Sequence, residues 1–247
     1  MQLSSDPNPA LPDLVAMLAG NGTLRAGLNL ANKLLVSGKD ANGEPVGVAP
    51  DLARALASRL GVAVSFIGYA LPGPLSDAVA QDEWDIAMMG AEPQRAAFIG
   101  FTPAYVEIEA TYLIPAGSPL RGIADVDAPG LRIAVSERAA FGLWLQRNIA
   151  SAELALFPTI GDATAAFVEQ KLDALAGLRP GLEAESARIP GSTVLAGHYM
   201  SVQQAIGVPK AKSAAVPFLS SFLVEARQSG LLADLLRRHR IEGLTIA

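Results

Sequence analysis

The amino-acid sequence predicts an α/β protein built from two similar lobes. Three observations lead to this prediction: strands alternate with helices, the order strand-helix-strand-helix-strand occurs twice, and two extended segments bracket the second occurrence. Strands that alternate with helices imply parallel sheets with right-handed crossovers. Each lobe is therefore expected to be a mostly parallel sheet flanked by helices, and the bracketing segments to be two hinge strands that join the lobes.

The first repeat lies between residues 23 and 90. Its strands are apolar and β-branched, and its first helix has Pro50 and Asp51 in the opening turn and Gly61 just past its end. The predicted elements are strand 23–29, helix 49–60, strand 62–69, helix 74–81 and strand 84–90.

The second repeat lies between residues 130 and 178 and has the same order. Its local sequences echo the first repeat: LRIAVS resembles LRAGLN, and KLDALAGL resembles EWDIAMMG. Asp162 is expected to be the N-cap of its second helix. The predicted elements are strand 130–136, helix 138–149, strand 153–157, helix 162–170 and strand 172–178.

Two extended segments, 101–119 and 193–208, flank the second repeat. In the first of them Glu107, Glu109 and Thr111 alternate with apolar residues, which is strand periodicity. The C-terminal stretch 214–240 is predicted to be helical, broken at Ser229-Gly230, and to return to the first lobe. The predicted lobes are therefore residues 1–108 with 203–247, and residues 109–202.

Composition excludes several classes of protein. Hydrophobic residues make up 51% of the chain and charged residues 17%, which favours a packed core over disorder. The net charge of −5 and the absence of a basic block argue against nucleic acid and membrane surfaces as partners. Without cysteine and with two histidines, disulfides and a metal site are not expected, and no cofactor motif occurs.

The N-terminal sequence has no basic stretch followed by an apolar one, as a secretory signal would. Either a signal has been removed or the protein acts in the cytoplasm. No apolar run approaches the roughly 18–20 residues that a membrane-spanning helix needs.

Ligands of open parallel sheets bind beyond the carboxyl ends of the strands, and two facing lobes would bring those ends to one cleft. The candidate ligand-binding residues are those that follow the predicted strands. They are Asn29, Asn32, Tyr69, Gly90 and Arg95 in lobe one, and Ser136, Arg138 and Arg179 in lobe two.

Three of these candidates are arginines, whose planar guanidinium binds carboxylates bidentately. Arg95 follows the third strand of lobe one, Arg138 opens a helix whose N-terminal amides favour an anion, and Arg179 follows the last strand of lobe two. For Arg138 and Arg179 the alternative is a solvated surface charge. The pattern predicts a small molecule with a carboxylate as the ligand.

The segment GAEPQRAAFIGFTPAY resembles the corresponding part of family 3 solute-binding proteins, the polar amino-acid receptors of ABC importers. The stretches GEPVGVAPDLARALASRLG, GSPLRGIADVDAPGLRIAVS and AIGVPK are also similar to that family, so that the resemblance covers nearly the whole chain from Leu24. It implies a type II periplasmic-binding-protein fold, a periplasmic location and an ABC permease as partner, and we expect a monomer.

The same resemblance implies roles for individual residues. Arg95 would hold the α-carboxylate of the ligand, Asn29 and Asn32 would contact the ligand, and the ring of Tyr69 would pack on it. The Ser136–Ala139 stretch would add hydroxyl or amide donors to the carboxylate.

Two departures from the family pattern bear on the ligand. The family keeps an Asp just past the last strand of lobe two, where it pairs with the ligand ammonium, but this chain reads AGLRPGLE there. The Ser/Thr-rich turn before the arginine reads Gly90, Ala91 and Glu92. The expected ligand is therefore an anion without an ammonium, although Glu107 or Glu109 could still receive one.

Two other functions compete with solute capture for transport. The fold resembles that of cyclohexadienyl dehydratases, in which Glu92, Glu137 or His198 could serve as the general acid. No catalytic triad, nucleophile elbow, phosphate loop or metal motif accompanies these residues, so an enzyme is not expected. A ligand sensor that acts through a separate signalling chain is the second alternative.

Overall fold

The computed structural model describes residues 11–247. The first ten residues lie outside it, and they include most of the N-terminal stretch that was searched for a secretory signal. The chain divides into two compact units. The first comprises the chain up to Tyr105 together with Gln204–Ile241 and Ile246–Ala247, and the second comprises Val106–Gln203 and Glu242–Thr245. These bounds lie within a few residues of the predicted lobe boundaries, except that Glu242–Thr245 joins the second unit.

The N-terminal segment builds most of the first unit. Its elements, in chain order, are α1 (Leu11–Ala19), β1 (Thr23–Asn29), β2 (Gly38–Lys39), β3 (Pro45–Val46), α2 (Val48–Leu60), β4 (Ala63–Tyr69), α3 (Pro72–Asp77) with the 3-10 helix Ala78–Gln81, β5 (Ile86–Gly90), α4 (Pro93–Ala96) and β6 (Ile99–Phe101).

The middle of the chain forms the second unit. Its elements are β7 (Val106–Ile114), the 3-10 helix Ile123–Asp125, β8 (Arg132–Ser136), α5 (Ala140–Asn148), β9 (Glu153–Phe157), α6 (Ile160–Glu169), β10 (Ala174–Leu178), α7 (Arg179–Ser186) and β11 (Thr193–Val194).

The chain then returns to the first unit between Gln203 and Gln204. The remaining elements are β12 (Met200–Pro209), the 3-10 helix Lys210–Ala215, α8 (Val216–Gln228), α9 (Leu231–Arg238) and β13 (Leu244–Ile246).

The sheet of the first unit has the parallel order β4-β1-β5, with β12 antiparallel to β5. Helix α2 buries Val48, Leu52, Leu56 and Leu60, and this four-residue spacing gives it one apolar face. Gly61 ends the helix in the left-handed conformation at φ 71°, which glycine adopts without the steric cost of a side chain.

The C-terminal helices pack in the first unit. Helix α9 packs on α2, and the His239 ring nitrogen Nε2 lies 2.8 Å from Asp51 Oδ2. Between α8 and α9 the predicted break occurs at Ser229 and Gly230, where Gly230 has φ 80°.

The sheet of the second unit has the order β7-β10-β8-β9, in which β8 pairs in parallel with both of its neighbours and β7 is antiparallel to β10. Its core packs on both faces of the sheet. One side contains an aromatic group in which Tyr199 lies 4.6 Å from Tyr112 and 5.4 Å from Trp144 between ring centroids.

The two repeats share a clip between an arginine and an aspartate. In the first unit Arg25 N donates to Asp85 Oδ2 at 2.9 Å, and Asp85 N donates back to Arg25 O at 2.9 Å. In the second unit Arg132 N donates to Asp173 Oδ2 at 2.8 Å, and Asp173 N donates back to Arg132 O at 3.0 Å. The echo in the sequence therefore corresponds to the same local geometry.

In the first unit the clip is an ion cluster. The guanidinium of Arg25 donates from Nε and Nη2 to the two oxygens of Asp85 at 3.0 and 2.9 Å, and Lys212 Nζ lies 2.7 Å from Oδ1. Asp85 is 5% exposed. Because Lys212 belongs to the returning C-terminal segment, one buried carboxylate ties together three separate parts of the chain.

Both repeats contain all five predicted elements, and the differences lie at helix ends and in short segments. Thr159, not Asp162, is the N-cap of α6, since its Oγ1 accepts a hydrogen bond from Asp162 N at 3.0 Å. Helix α5 begins at Ala140, so Arg138 precedes it. The sequence did not predict the helices α1, α4 and α7, the hairpin β2-β3 and the strands β6 and β13.

No helix within residues 11–247 is both long and apolar enough to cross a bilayer. Across the same residues, no group of three or more His, Asp or Glu side chains is arranged to hold a metal ion.

We expect Asp85→Asn to lower the free energy of unfolding by about 3 kcal/mol, because removal of one partner leaves Arg25 and Lys212 without their buried counter-charge. Urea unfolding at pH 7 measures this change. Asp234→Asn is the control: it breaks an exposed i,i+3 pair with Arg237 and should change stability by less than about 0.5 kcal/mol. Equal effects of the two substitutions would contradict the role assigned to Asp85.

The stability difference between wild type and D85N should depend on pH. Burial alone would raise the pKa of Asp85, but hydrogen bonds from Arg25 and Lys212 outweigh burial and hold the pKa below its usual value. An aspartate whose pKa is lower in the folded state than in the unfolded state stabilises the fold above the unfolded pKa of about 3.9. This stabilisation is lost as the pH falls through the pKa of the folded state. The difference in the free energy of unfolding between wild type and D85N should therefore shrink below about pH 4. A difference that stays constant down to pH 2 would be incompatible with this ion cluster.

Candidate functional site

Three strands of the first unit end at one edge of its sheet. Asn29, the last residue of β1, lies opposite Tyr69, the last residue of β4. On its other side β1 pairs with β5 in a register that sets Leu28 opposite Met88, so Gly90 ends β5 at the same edge. The backbone thus brings together the carboxyl ends of these strands, where ligands of parallel sheets bind.

Arg95 lies in α4, directly after this edge. Its side chain is buried, with 4% of the residue exposed, and Nη1 donates to the carbonyl oxygen of Gly90 at 2.6 Å. Pro93 at the first position of α4 favours the helical turn that turns Arg95 back toward the end of β5. Glu92 is buried in the same loop at 4% exposure. The hydrogen bond to Gly90 fixes the guanidinium at the end of β5.

Of the two predicted asparagines, Asn29 ends β1 and Asn32 lies in the turn that follows. Asn29 Oδ1 accepts a hydrogen bond from Ala31 N at 3.1 Å, so its side chain stabilises its own turn. The side-chain oxygen of Asn32 is buried and accepts no hydrogen bond from any residue of the described chain, 11–247. A buried acceptor without a donor is unfavourable. The side-chain oxygen of Asn32 is such an acceptor, and it needs a hydrogen-bond donor at this edge.

Tyr69 makes a different contact from the one expected. Its hydroxyl donates to Glu83 Oε2 at 2.5 Å, and its ring packs against the core cluster that includes Trp84. Burial and the Glu83 hydrogen bond raise the pKa of Tyr69 well above its usual value. Since Glu83 precedes β5, the Tyr69 hydroxyl is directed toward the amino end of that strand, and a ligand contact of this ring stays a prediction.

In the second unit, Ser136 ends β8 opposite Phe157, the last residue of β9. The Ser136 hydroxyl is buried and donates to the carbonyl of Pro158 at 3.4 Å. A Cβ atom at Gly142 would lie 2.0 Å from Ser136 O, so only glycine lets the first turn of α5 approach the end of β8 this closely. The amides that open α5 therefore lie beside Ser136.

Arg138 is exposed in the turn between β8 and α5. Ala139 N donates to Ser136 O at 3.3 Å and closes this turn. Arg138 thus lies just past the carboxyl end of β8, and its contact with a ligand stays a prediction.

Arg179 is the first residue of α7 and takes part in a cluster of three charged or titratable groups. Its Nε donates to Glu109 Oε2 at 2.6 Å, and its Nη1 and Nη2 donate to the carbonyls of Leu195 and Gly197. His198 Nδ1 lies 3.2 Å from Glu109 Oε1. Both oxygens of the Glu109 carboxylate therefore have a partner.

The antiparallel pairing of β7 with β10 explains this cluster. Leu178 lies opposite Ala110, so Glu109 is level with Arg179 just past the end of β10. The hydrogen bond from Arg179 lowers the pKa of Glu109, and the charges of Arg179 and His198 lower it further. Glu109 remains ionised, but its charge is compensated within the unit.

Sequence reasoning identified Glu109 and Arg179 separately and did not pair them. The alternation of Glu107, Glu109 and Thr111 predicted a strand face, and the end of β10 predicted the position of Arg179. Only the pairing of β7 with β10, which local sequence does not specify, brings the two side chains together.

The first unit also has a depression of about 380 Å³, formed mainly by α8, residues 103–105 and Ala247. None of the predicted site residues lines it. Arg227, at its rim, donates to the carbonyl of Ala247 at 2.7 Å. This depression is therefore separate from the candidate site at the strand ends.

Solved structures of similar fold cover almost the whole chain. A mutant of ArgBP from T. maritima has a TM-score of 0.74 at 22% identity, over 93% of this chain and 100% of that one. A putative binding component of an ABC transporter from Wolinella succinogenes, complexed with lysine, has a TM-score of 0.73 at 21% identity, over 88% and 95%. The ancestral amino acid-binding protein AncCDT-1, described as a precursor of cyclohexadienyl dehydratase, has a TM-score of 0.73 at 22% identity, over 94% and 99%.

At these identities the neighbours establish the fold alone, and they confirm the predicted two-lobed, type II periplasmic-binding-protein fold. A comparison with curated proteins found no match. Residues 31–241 match the family of bacterial extracellular solute-binding proteins, family 3. Since this match spans most of the chain and both units, the chain belongs to the bacterial extracellular solute-binding proteins of family 3.

Proposed function

We propose that this protein captures a small carboxylate-bearing solute, an amino acid or an organic acid, for an ABC importer. The observation that carries the proposal is the buried guanidinium of Arg95 at the carboxyl end of β5. A guanidinium offers five N–H donors in a rigid fork that matches a carboxylate. The hydrogen bond to Gly90 holds this fork in one orientation, so little freedom is lost when a ligand binds.

Asn32, in the turn after β1, supports a polar ligand. The buried side-chain oxygen of Asn32 needs a donor, and the residues of the described chain, 11–247, supply none. A hydroxyl or an N–H group of a ligand would meet that need.

In the second unit, Ser136 and the amides at the start of α5 support binding of the same anion. The first amides of a helix are unpaired and carry partial positive charge. Arg138 adds a cation in the preceding turn. These groups are proposed as secondary contacts, with Arg95 as the anchor.

Among the structural neighbours named above, AncCDT-1 is described as an amino acid-binding protein, and the Wolinella succinogenes protein is complexed with lysine. Every α-amino acid has a carboxylate, so these ligands support the role of Arg95. They do not decide whether the ligand of this protein also carries an ammonium. A dehydratase-like activity is the second candidate, favoured by the described relation of AncCDT-1 to such an enzyme. Turnover of prephenate-like acids by the purified chain would establish it.

The family description is extracellular, and we propose the periplasm as the site of action and an ABC permease as the partner. We further propose that the protein acts as a monomer whose two lobes, residues 1–108 with 203–247 and residues 109–202, close on the ligand. Closure on a ligand is how solute-binding proteins of two lobes respond to occupancy.

A ligand screen by thermal or urea unfolding tests solute binding. A ligand that binds only the native state stabilises it by about 2.7 kcal/mol at 100 times its dissociation constant. We expect such stabilisation from at least one amino acid or small organic acid, and none from matched amines or esters that lack the carboxylate. Stabilisation by the amine or ester as strong as by the acid would contradict the proposal.

Replacement of Arg95 tests the anchor. Arg95→Gln should weaken binding of the best acid by about 100-fold, or ~2.7 kcal/mol, because the ligand carboxylate loses a buried charged partner. Arg95→Lys keeps the charge but loses the fork, and should weaken binding by about tenfold. Calorimetric titration measures both effects.

Arg59→Gln is the matched control, since the Arg59 side chain is 48% exposed on α2 in the same unit. It should leave affinity unchanged. Urea unfolding of each variant shows whether it is folded. A folded R95Q with wild-type affinity would exclude Arg95 as the anchor.

A further inference from the structure

The Glu109 carboxylate lies at the end of β10 and is in contact with Arg179. It lies on β7, beside Leu178 and Arg179, and its side chain is 43% exposed. An acid at this place would attract the ammonium of a ligand. Glu109, however, already has a cation on one oxygen and His198 on the other.

Arg179 is held firmly in its pairing with Glu109. Its guanidinium donates to Glu109, to the carbonyl of Leu195 and to the carbonyl of Gly197. The hydroxyl of Thr111 lies within hydrogen-bond distance of the same two carbonyls, at 3.2 and 2.9 Å. Three acceptors, Glu109 on β7 and the Leu195 and Gly197 carbonyls in the loop after β11, fix the guanidinium, so turning it toward a ligand would break several hydrogen bonds.

The pairing of Glu109 with Arg179 determines whether this place can accept the ammonium of a ligand. An ammonium that is removed from water needs a negative partner, and an unpaired one is strongly unfavourable. Glu109 and Arg179 together carry no net charge. A ligand with an ammonium would therefore find its acid already neutralised, whereas a ligand with a hydroxyl or keto group in that place would need no acid.

We infer that Arg179 is a specificity-determining residue whose guanidinium takes the place of a ligand ammonium on Glu109. Arg179 then acts on the ligand through Glu109 and is not an anchor for the ligand carboxylate. This inference rests on the proposed function and narrows it: the solute is a carboxylate without an α-ammonium, such as a 2-hydroxy or 2-oxo acid.

The test compares α-amino acids with their 2-hydroxy analogues by calorimetric titration at pH 7. The probes are the pairs L-alanine and L-lactate, L-aspartate and L-malate, L-glutamate and L-2-hydroxyglutarate, and L-phenylalanine and L-phenyllactate. Wild type should bind the hydroxy acid of its best pair at least tenfold more tightly. Arg179→Met keeps the apolar stem but frees the charge of Glu109, and should shift the ratio of the two affinities toward the amino acid by at least tenfold.

Three further variants make the result specific. Arg179→Lys restores the compensating charge and should keep the wild-type preference. The double variant E109Q/R179M should not show the shift toward the amino acid that R179M shows. This result would identify Glu109, and not Glu137, as the acid that binds the ammonium. Arg188→Met is the control for loss of a cation in the same unit, since the Arg188 side chain is 77% exposed, and should leave the ratio unchanged.

The outcomes distinguish the two proposals. A wild type that prefers the amino acid, or a folded R179M with an unchanged ratio, overturns this inference while solute binding stands. If wild type binds no acid of any pair, and no other acid stabilises it in the ligand screen, solute capture itself is overturned and this inference with it. Folding of each variant is checked by its urea midpoint.

Discussion

The ion cluster around Asp85 is the interaction on which the first unit depends. This unit is assembled from an N-terminal and a C-terminal segment, and Arg25 and Lys212 come from the two ends of the chain to one buried carboxylate. A buried carboxylate needs full compensation, since burial without partners disfavours its charged form. Arg25 and Lys212 both stabilise the charge of Asp85, so the returning segment contributes to the compensation of a carboxylate in the N-terminal part of the unit.

The second unit repeats the backbone part of this clip with Arg132 and Asp173. Within residues 11–247, no lysine contacts Asp173 as Lys212 contacts Asp85. In both units the aspartate directly precedes a central strand and the arginine lies near the start of its neighbour. The clip therefore fixes strand register at the amino ends of the strands. The carboxyl ends are left for loops whose residues can differ between the two units without loss of the shared framework.

Arg95 and Arg179 follow strands of different units and make different contacts. Arg95 is buried beside Gly90 with its orientation fixed by a carbonyl, which suits an anchor for a carboxylate. Arg179 is bound to Glu109 and two carbonyls, which suits compensation of an internal charge.

The sequence by itself determined the two α/β repeats, with their strands and main helices, and the strand edge that carries the candidate residues. These features follow from local patterns: the strand and helix periodicity, the Leu-Arg pair repeated in the first predicted strand of each repeat, and the aspartate repeated in the last predicted strand. It missed α7, where no apolar period of useful length marks the helix, and it took Asp162 for a cap although Thr159 is better placed. Tertiary structure alone decided which charges meet. The contacts of Asp85 with Lys212, of Arg179 with Glu109 and of Tyr69 with Glu83 each join residues that strand pairing or packing brings together, and sequence separation carries no information about such partners.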